Sequence, residues 1–178
     1  MKGTIQVRLT LNGEPRSAQV DSRQLLVEVI RDALDAKGTR VGCLTGDCGA
    51  CTVLIDGEVR KSCLVLAASI SGNDVRTIEG IEGIGTLQEA FIAENGFQCG
   101  FCTSGMIIAA ADLLRRNASP SHEEIRRAIS GNLCRCTGYE SIVNAIHRAA
   151  HGGNACPRGA GSNEDLQDSS FDQKGDRS

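Results

Sequence analysis

Residues 4–11, "TIQVRLTL", alternate apolar and polar side chains, the period of a strand with one buried face. "NGEP" turns the chain and "RSAQV" supplies a return strand, so the pattern predicts a hairpin. Leu25, Leu26, Val29, Ile30, Ala33 and Leu34 then share one helical face, with Asp21 or Ser22 placed to cap it and Gly38 to end it. Residues 42–51, "GCLTGDCGAC", are too glycine-rich for a regular element and predict a tight loop. "TVLID", an Asp56-Gly57 turn and "EVRKS" predict a second hairpin, and "DVRTI" a last short strand. Two hairpins around one helix make a small α+β unit over residues 1–77.

From residue 78 the period becomes helical. Thr86 with Glu89, and Ser121 with Glu124, have the spacing of capping boxes. Met106, Ile107, Ala110, Leu113 and Leu114 mark one face of a helix over 103–116, and Ile125, Ala128 and Ile129 follow Ser121. Ile142, Val143 and Ile146 mark a last helix closing at Gly152-Gly153. Four short antiparallel helices over residues 78–151 are the simplest arrangement. Residues 152–178 hold one Leu and one Phe, too little apolar surface to order alone, and read as a solvated tail or a partner-binding arm.

Composition narrows the class. The chain is 40% hydrophobic, with four Phe, one Tyr and no Trp, which limits the large core anchors. Its net charge of −3, with 19 basic against 22 acidic residues and no basic block, argues against nucleic acid as a partner. The start, "MKGTIQVRLTLNGEP", has no long apolar signal segment, and no apolar run is long enough to span a membrane. A cytoplasmic, reducing location is therefore expected, and nine cysteines there point to metal ligation rather than disulfides.

The cysteines fall into groups. Cys43, Cys48, Cys51 and Cys63 are spaced C-x4-C-x2-C-x11-C, whose opening is the plant-type [2Fe–2S] pattern of three ligands in one loop and a fourth elsewhere. Gly42, Gly46 and Gly49 let that loop wrap closely with its N–H groups toward sulfur. A zinc site fits this spacing less well. Cys99, Cys102, Cys134 and Cys136 form C-x2-C and C-x-C, each pair just before a helix start. Spacing alone leaves zinc and iron–sulfur both open for this second group.

"GCLTGDCGACTV", "QCGFCTSGM" and "GNLCRCTGY", in this order, resemble the iron–sulfur subunit or domain of the molybdenum hydroxylases, the group of xanthine dehydrogenase, aldehyde oxidoreductases and carbon monoxide dehydrogenase. The resemblance covers roughly residues 3–150 with both ligand sets complete; one departure is Ser104, where that family usually has Pro. It implies a plant-ferredoxin-like β-grasp domain followed by an all-α four-helix domain, each holding one [2Fe–2S] cluster. The set Cys99, Cys102, Cys134 and Cys136 would hold the inner cluster, nearer a molybdopterin in a large partner subunit. Gln98 and Cys136 would contact that pterin. Cys43, Cys48, Cys51 and Cys63 would hold the outer cluster, facing an FAD-binding medium subunit or another acceptor. The implied function is electron transfer within an oxidoreductase whose substrate-converting site lies in the partner. The rival readings are a stand-alone ferredoxin-like carrier and a zinc-stapled binding module.

Other features read as structural. His122, His147 and His151 lack Rieske spacing, and "GIEGIG" at 80–85 has its glycines in the wrong order for a dinucleotide fingerprint. Cys156 is expected to be a free thiol in the tail, and Arg135, between two ligands, either tunes a cluster or reaches solvent. Arg115-Arg116 and Arg126-Arg127 read as solvated helix faces.

Overall fold

The computed structural model describes residues 3–152, so the tail and Cys156 lie outside the described residues. Strands β1 (Thr4–Leu11) and β2 (Glu14–Asp21) pair antiparallel, from Thr4 opposite Asp21 to Leu11 opposite Glu14. Asn12 and Gly13 join them, both at positive φ (53° and 86°), the backbone a tight two-residue hairpin turn needs. The second hairpin, β3 (Thr52–Ile55) and β4 (Glu58–Lys61), repeats the device at Asp56 and Gly57. Strand β5 (Asp74–Arg76) enters between the hairpins, parallel to β1 and antiparallel to β3. The sheet order is β2-β1-β5-β3-β4.

One face of this sheet is covered by the first helix. It is shorter than expected: α1 (Leu26–Glu28) passes into a π-helical turn over Val29–Ala33. Glu28 caps it by accepting from the Leu25 N–H at 2.9 Å, so neither Asp21 nor Ser22 is the cap. Its end comes before Gly38. The Ala36 N–H donates to Ile30 O at 2.9 Å around Asp35 at φ 62°, a left-handed stop on a non-glycine residue. Gly38 serves close approach instead, since a Cβ there would lie 2.4 Å from Ile78 Cγ2. Leu26, Val29, Ile30 and Leu34 pack on Val7, Leu9, Leu11, Val53 and Val75 from the sheet.

The rest of the described chain is helical: α2 (Gly85–Ala93), α3 (Thr103–Arg116), α4 (His122–Ala128) and α5 (Glu140–Ala150). A second apolar cluster joins Leu87 and Phe91 to Met106, Ile107, Ala110 and Leu113, and these to Ile125, Ile129, Ile142 and Ile146. The Ser121–Glu124 capping box forms as its spacing predicts. Thr86 and Glu89 do not form one, because α2 begins two residues earlier than that box requires, with Ile84 as its N-cap. Helix α3 also packs against β3 and β4, so the helical half rests on the sheet. Among the described residues the architecture is mixed α+β, with one sheet and five α-helices.

Candidate functional site

The loop after α1 carries the first cysteines. Leu44 (φ 61°), Gly46 (φ 90°) and Gly49 (φ 71°) bend it back on itself. Two of its N–H groups, from Thr45 and Cys48, approach Cys43 Sγ at 3.4 Å each. Gly42 is required by contact rather than by φ: a Cβ there would sit 2.7 Å from Cys48 Sγ. Cys51, at the loop's end, and Cys63, in the 3-10 turn after β4, are buried together with Val27, with Leu25 partly buried against them. Thr45's hydroxyl and the backbone N–H groups of Cys48 and Thr45 pull the Cys43 thiol down to about 6. Burial, with Cys51 alongside, pushes Cys63 up to about 11.

The second set is built from two helix approaches. Cys102 is the N-cap residue of α3, with Cys99 on the preceding turn. Cys134 and Cys136 occupy the segment between α4 and α5. Cys136 Sγ lies 3.6 Å from Cys99 Sγ, and Thr137 Oγ1 donates to Cys134 Sγ at 3.1 Å. Tyr139, at φ 72°, places its phenol oxygen to accept from the Cys134 N–H at 2.9 Å. Burial next to Cys134 pushes Cys102 up to about 12. Burial also acts to raise Cys134, but the Thr137 hydroxyl and the amides of Cys136 and Thr137 outweigh it and leave that thiol lowered. The exposed Cys99 is lowered chiefly by the Phe101 amide.

All eight sequence-predicted ligands therefore gather in two groups of four, and all eight are free thiols. Within the groups six lie as neighbouring pairs, Cys51 with Cys63, Cys99 with Cys136 and Cys102 with Cys134, and the Cys48 N–H reaches Cys43 Sγ. Among the described residues no three His, Cys, Asp or Glu side chains converge as a single-ion site requires. Paired thiols beside inward-facing amides, in a loop too close for a Cβ at Gly42, suit a two-iron group with two thiolates on each iron. Gln98 is exposed, and its Nε2 donates to Cys136 O at 3.0 Å. His147 stacks on His151 toward the end of α5 and meets His122 of α4 edge-on.

Between the two sets lies a junction that no local pattern in the sequence announces. The Leu133 N–H donates to Cys48 O at 2.8 Å, and the buried Asn132 donates through Nδ2 to Gly49 O at 3.0 Å. Lys61 Nζ reaches Gly131 O at 2.6 Å. A Cβ on Gly105 in α3 would come within 2.2 Å of Gly49 O, so the helix and the first loop are in backbone contact. Burial pulls the Lys61 ammonium down, opposed by the thiols of Cys51, Cys48, Cys63 and Cys43.

Comparison with known proteins places this geometry. Residues 9–76 match the family described as "2Fe-2S iron-sulfur cluster binding domain", and residues 77–147 the family described as "[2Fe-2S] binding domain". The chain is 48% identical over 146 residues to the caffeine dehydrogenase subunit gamma of Pseudomonas sp. strain CBB1, covering 79% of this chain and 87% of that one. It is 44% identical over 144 residues to the nicotine 6-hydroxylase small subunit of Paenarthrobacter nicotinovorans, covering 80% and 87%. The chain belongs to the iron–sulfur small-subunit family of the molybdenum hydroxylases. Its fold superposes on quinoline 2-oxidoreductase from Pseudomonas putida 86 with a TM-score of 0.79 at 42% identity, covering 84% of this chain and 96% of that one. As in that family, this subunit carries two [2Fe–2S]-binding domains and serves electron transfer within an oxidoreductase complex. Among the described residues no helix is long and apolar enough to cross a membrane.

Proposed function

We propose that Cys43, Cys48, Cys51 and Cys63 hold an outer [2Fe–2S] cluster, and that Cys99, Cys102, Cys134 and Cys136 hold an inner one. The observation that carries this is the gathering of eight free thiols into two sets joined by the Leu133–Cys48 hydrogen bond. The chain divides functionally into a plant-type domain over 1–77, an all-α four-helix domain over 78–151, and a tail. The clusters supply one-electron transfer, passing electrons from a molybdopterin site in a large partner toward an FAD-binding subunit or another acceptor. The chain's own residues bury Cys51 and Cys63, aim amides at Cys43, and hold the two ligand segments together.

Exposure supports the order. Cys99 and Cys136 are exposed, and Phe97, Phe101 and Leu133, large apolar residues close to them in sequence, are 40%, 44% and 54% exposed. Such a surface suits a partner that excludes water from the inner site, with Gln98 at its edge facing the pterin. On the outer side, the exposed Leu44 and Leu64 flank Cys43 and Cys63 and suit the acceptor subunit. A cytoplasmic setting, where thiols stay reduced until loaded, fits this reading.

The relay order is tested with Cys51→Ser in the assembled complex. The outer paramagnetic signal is expected to disappear while the inner one persists and is still reduced by substrate, and acceptor reduction stalls. An assembled variant that lacks the outer signal yet reduces the acceptor at the parent rate would show that the order is wrong.

A further inference from the structure

Lys61 ends β4, two residues before Cys63, and its ammonium is half-buried. Its hydrogen-bond partners are neutral: Gly131 O at 2.6 Å and Thr52 Oγ1 at 3.3 Å. Among the described residues no carboxylate lies in ion-pair range of it. A cation partly withdrawn from water against neutral acceptors is favoured by a counter-charge nearby. The acidic groups that act on Nζ are the thiols of one set, Cys51, Cys48, Cys63 and Cys43, which carry negative charge when held as thiolates on a cluster. Arg135, the cation within the second set's own segment, is exposed, so solvent screens it more strongly.

A [2Fe–2S] group on four thiolates is negative overall, and one-electron reduction adds one more negative charge. A nearby fixed cation stabilises the reduced state more than the oxidised one. We propose that Lys61 is a fixed positive charge that raises the reduction potential of the group held by Cys43, Cys48, Cys51 and Cys63, biasing electron sharing between the two sites toward that group. The inference rests on the cysteine assignment proposed above. The same ammonium pins Gly131, three residues before Cys134, so its position relative to both ligand segments is set by hydrogen bonds rather than by a free side chain.

The test is a dithionite titration of the full complex at fixed pH, with both paramagnetic signals followed in the parent, Lys61→Gln and Lys61→Arg. Gln removes the charge and keeps an N–H donor, while Arg keeps the charge and changes the shape. Lys61→Gln is expected to move the electron-sharing equilibrium about tenfold away from the outer site, equivalent to about 59 mV for a one-electron couple. Lys61→Arg is expected to hold most of the parent ratio. Should Lys61→Gln lose the outer signal, Lys61→Met, uncharged and of similar length, is titrated in its place with the same expected shift. An unchanged ratio in the uncharged variant overturns the proposal, and so does a shift in Lys61→Arg as large as in Lys61→Gln. A parent complex without two signals overturns the cysteine assignment itself, an outcome visible before any variant is compared.

Discussion

The Leu133 N–H donates to the Cys48 carbonyl at 2.8 Å, and each of these residues is, or adjoins, a cysteine of a different set. Cys48 belongs to the loop after α1, and Leu133 directly precedes Cys134. The two cysteine-bearing segments are thus joined by one hydrogen bond between backbones, without an intervening side chain. Asn132 reinforces the bond from the adjacent position, donating to Gly49 O.

Asn132 is 3% exposed, so truncating it leaves the Gly49 carbonyl without this donor in a site closed to water. Gly49 O keeps the Thr52 N–H (3.2 Å) and Thr52 Oγ1 (2.6 Å) as donors, so Asn132→Ala is expected to destabilise the chain by about 0.5–1.5 kcal/mol. It should also speed chelator-driven iron loss from the outer site more than from the inner one. Thermal unfolding and the time course of signal loss under chelator measure both effects. Equal loss from the two sites would mean that the contact does not brace the first loop.

Gln98 sits on the exposed side of the inner set, tied to Cys136 O. Gln98→Ala should leave both signals intact, because Gln98 supports no core contact. Substrate-driven reduction of the inner site in the complex is expected to slow on the order of 10-fold. Rapid-mixing absorbance gives the rate, and an unchanged rate would remove Gln98 from the pterin contact.

His147 stacks on His151 with ring centroids 4.1 Å apart and meets His122 edge-on at 4.5 Å. Burial lowers its pKa from 6.5, and the neighbouring His151 and His122 lower it further. The unfolded chain therefore takes up a proton at this position before the folded one does, and stability falls as pH drops. The contribution is complete above about pH 6.5 and is lost as pH falls below that value through the lowered folded-state pKa. His147→Gln should flatten the pH dependence of unfolding below about pH 6.5. An identical slope in parent and variant would place the acid sensitivity elsewhere.

Much of this was legible because it is local. Alternation in "TIQVRLTL", the Asp56-Gly57 turn and the Ser121–Glu124 box each act within a few residues, and each forms. The cysteine spacings grouped Cys43, Cys48, Cys51 and Cys63 apart from Cys99, Cys102, Cys134 and Cys136, but spacing alone left the metal of the second group open. The Thr86–Glu89 box failed because α2 starts at Gly85, which moves both residues off the cap positions. Gly38 misled as a stop because Asp35 takes the left-handed turn and Gly38 is needed where Ile78 crowds it. The junction was not legible. Lys61 and Gly131 are 70 positions apart, and Asn132 and Gly49 are 83 apart. No period or spacing rule links residues at such separations; only the packing of α3 on the sheet and first loop brings them together.

The central claim is that this chain holds two [2Fe–2S] clusters on two cysteine sets. Its most direct measurement is chemical iron and acid-labile sulfide on the purified complex, paired with spin integration after full reduction. About four iron and about four sulfide per chain are expected, with two distinct signals integrating to about two spins. Stoichiometric zinc without sulfide, or a single signal integrating to about one spin, would contradict it.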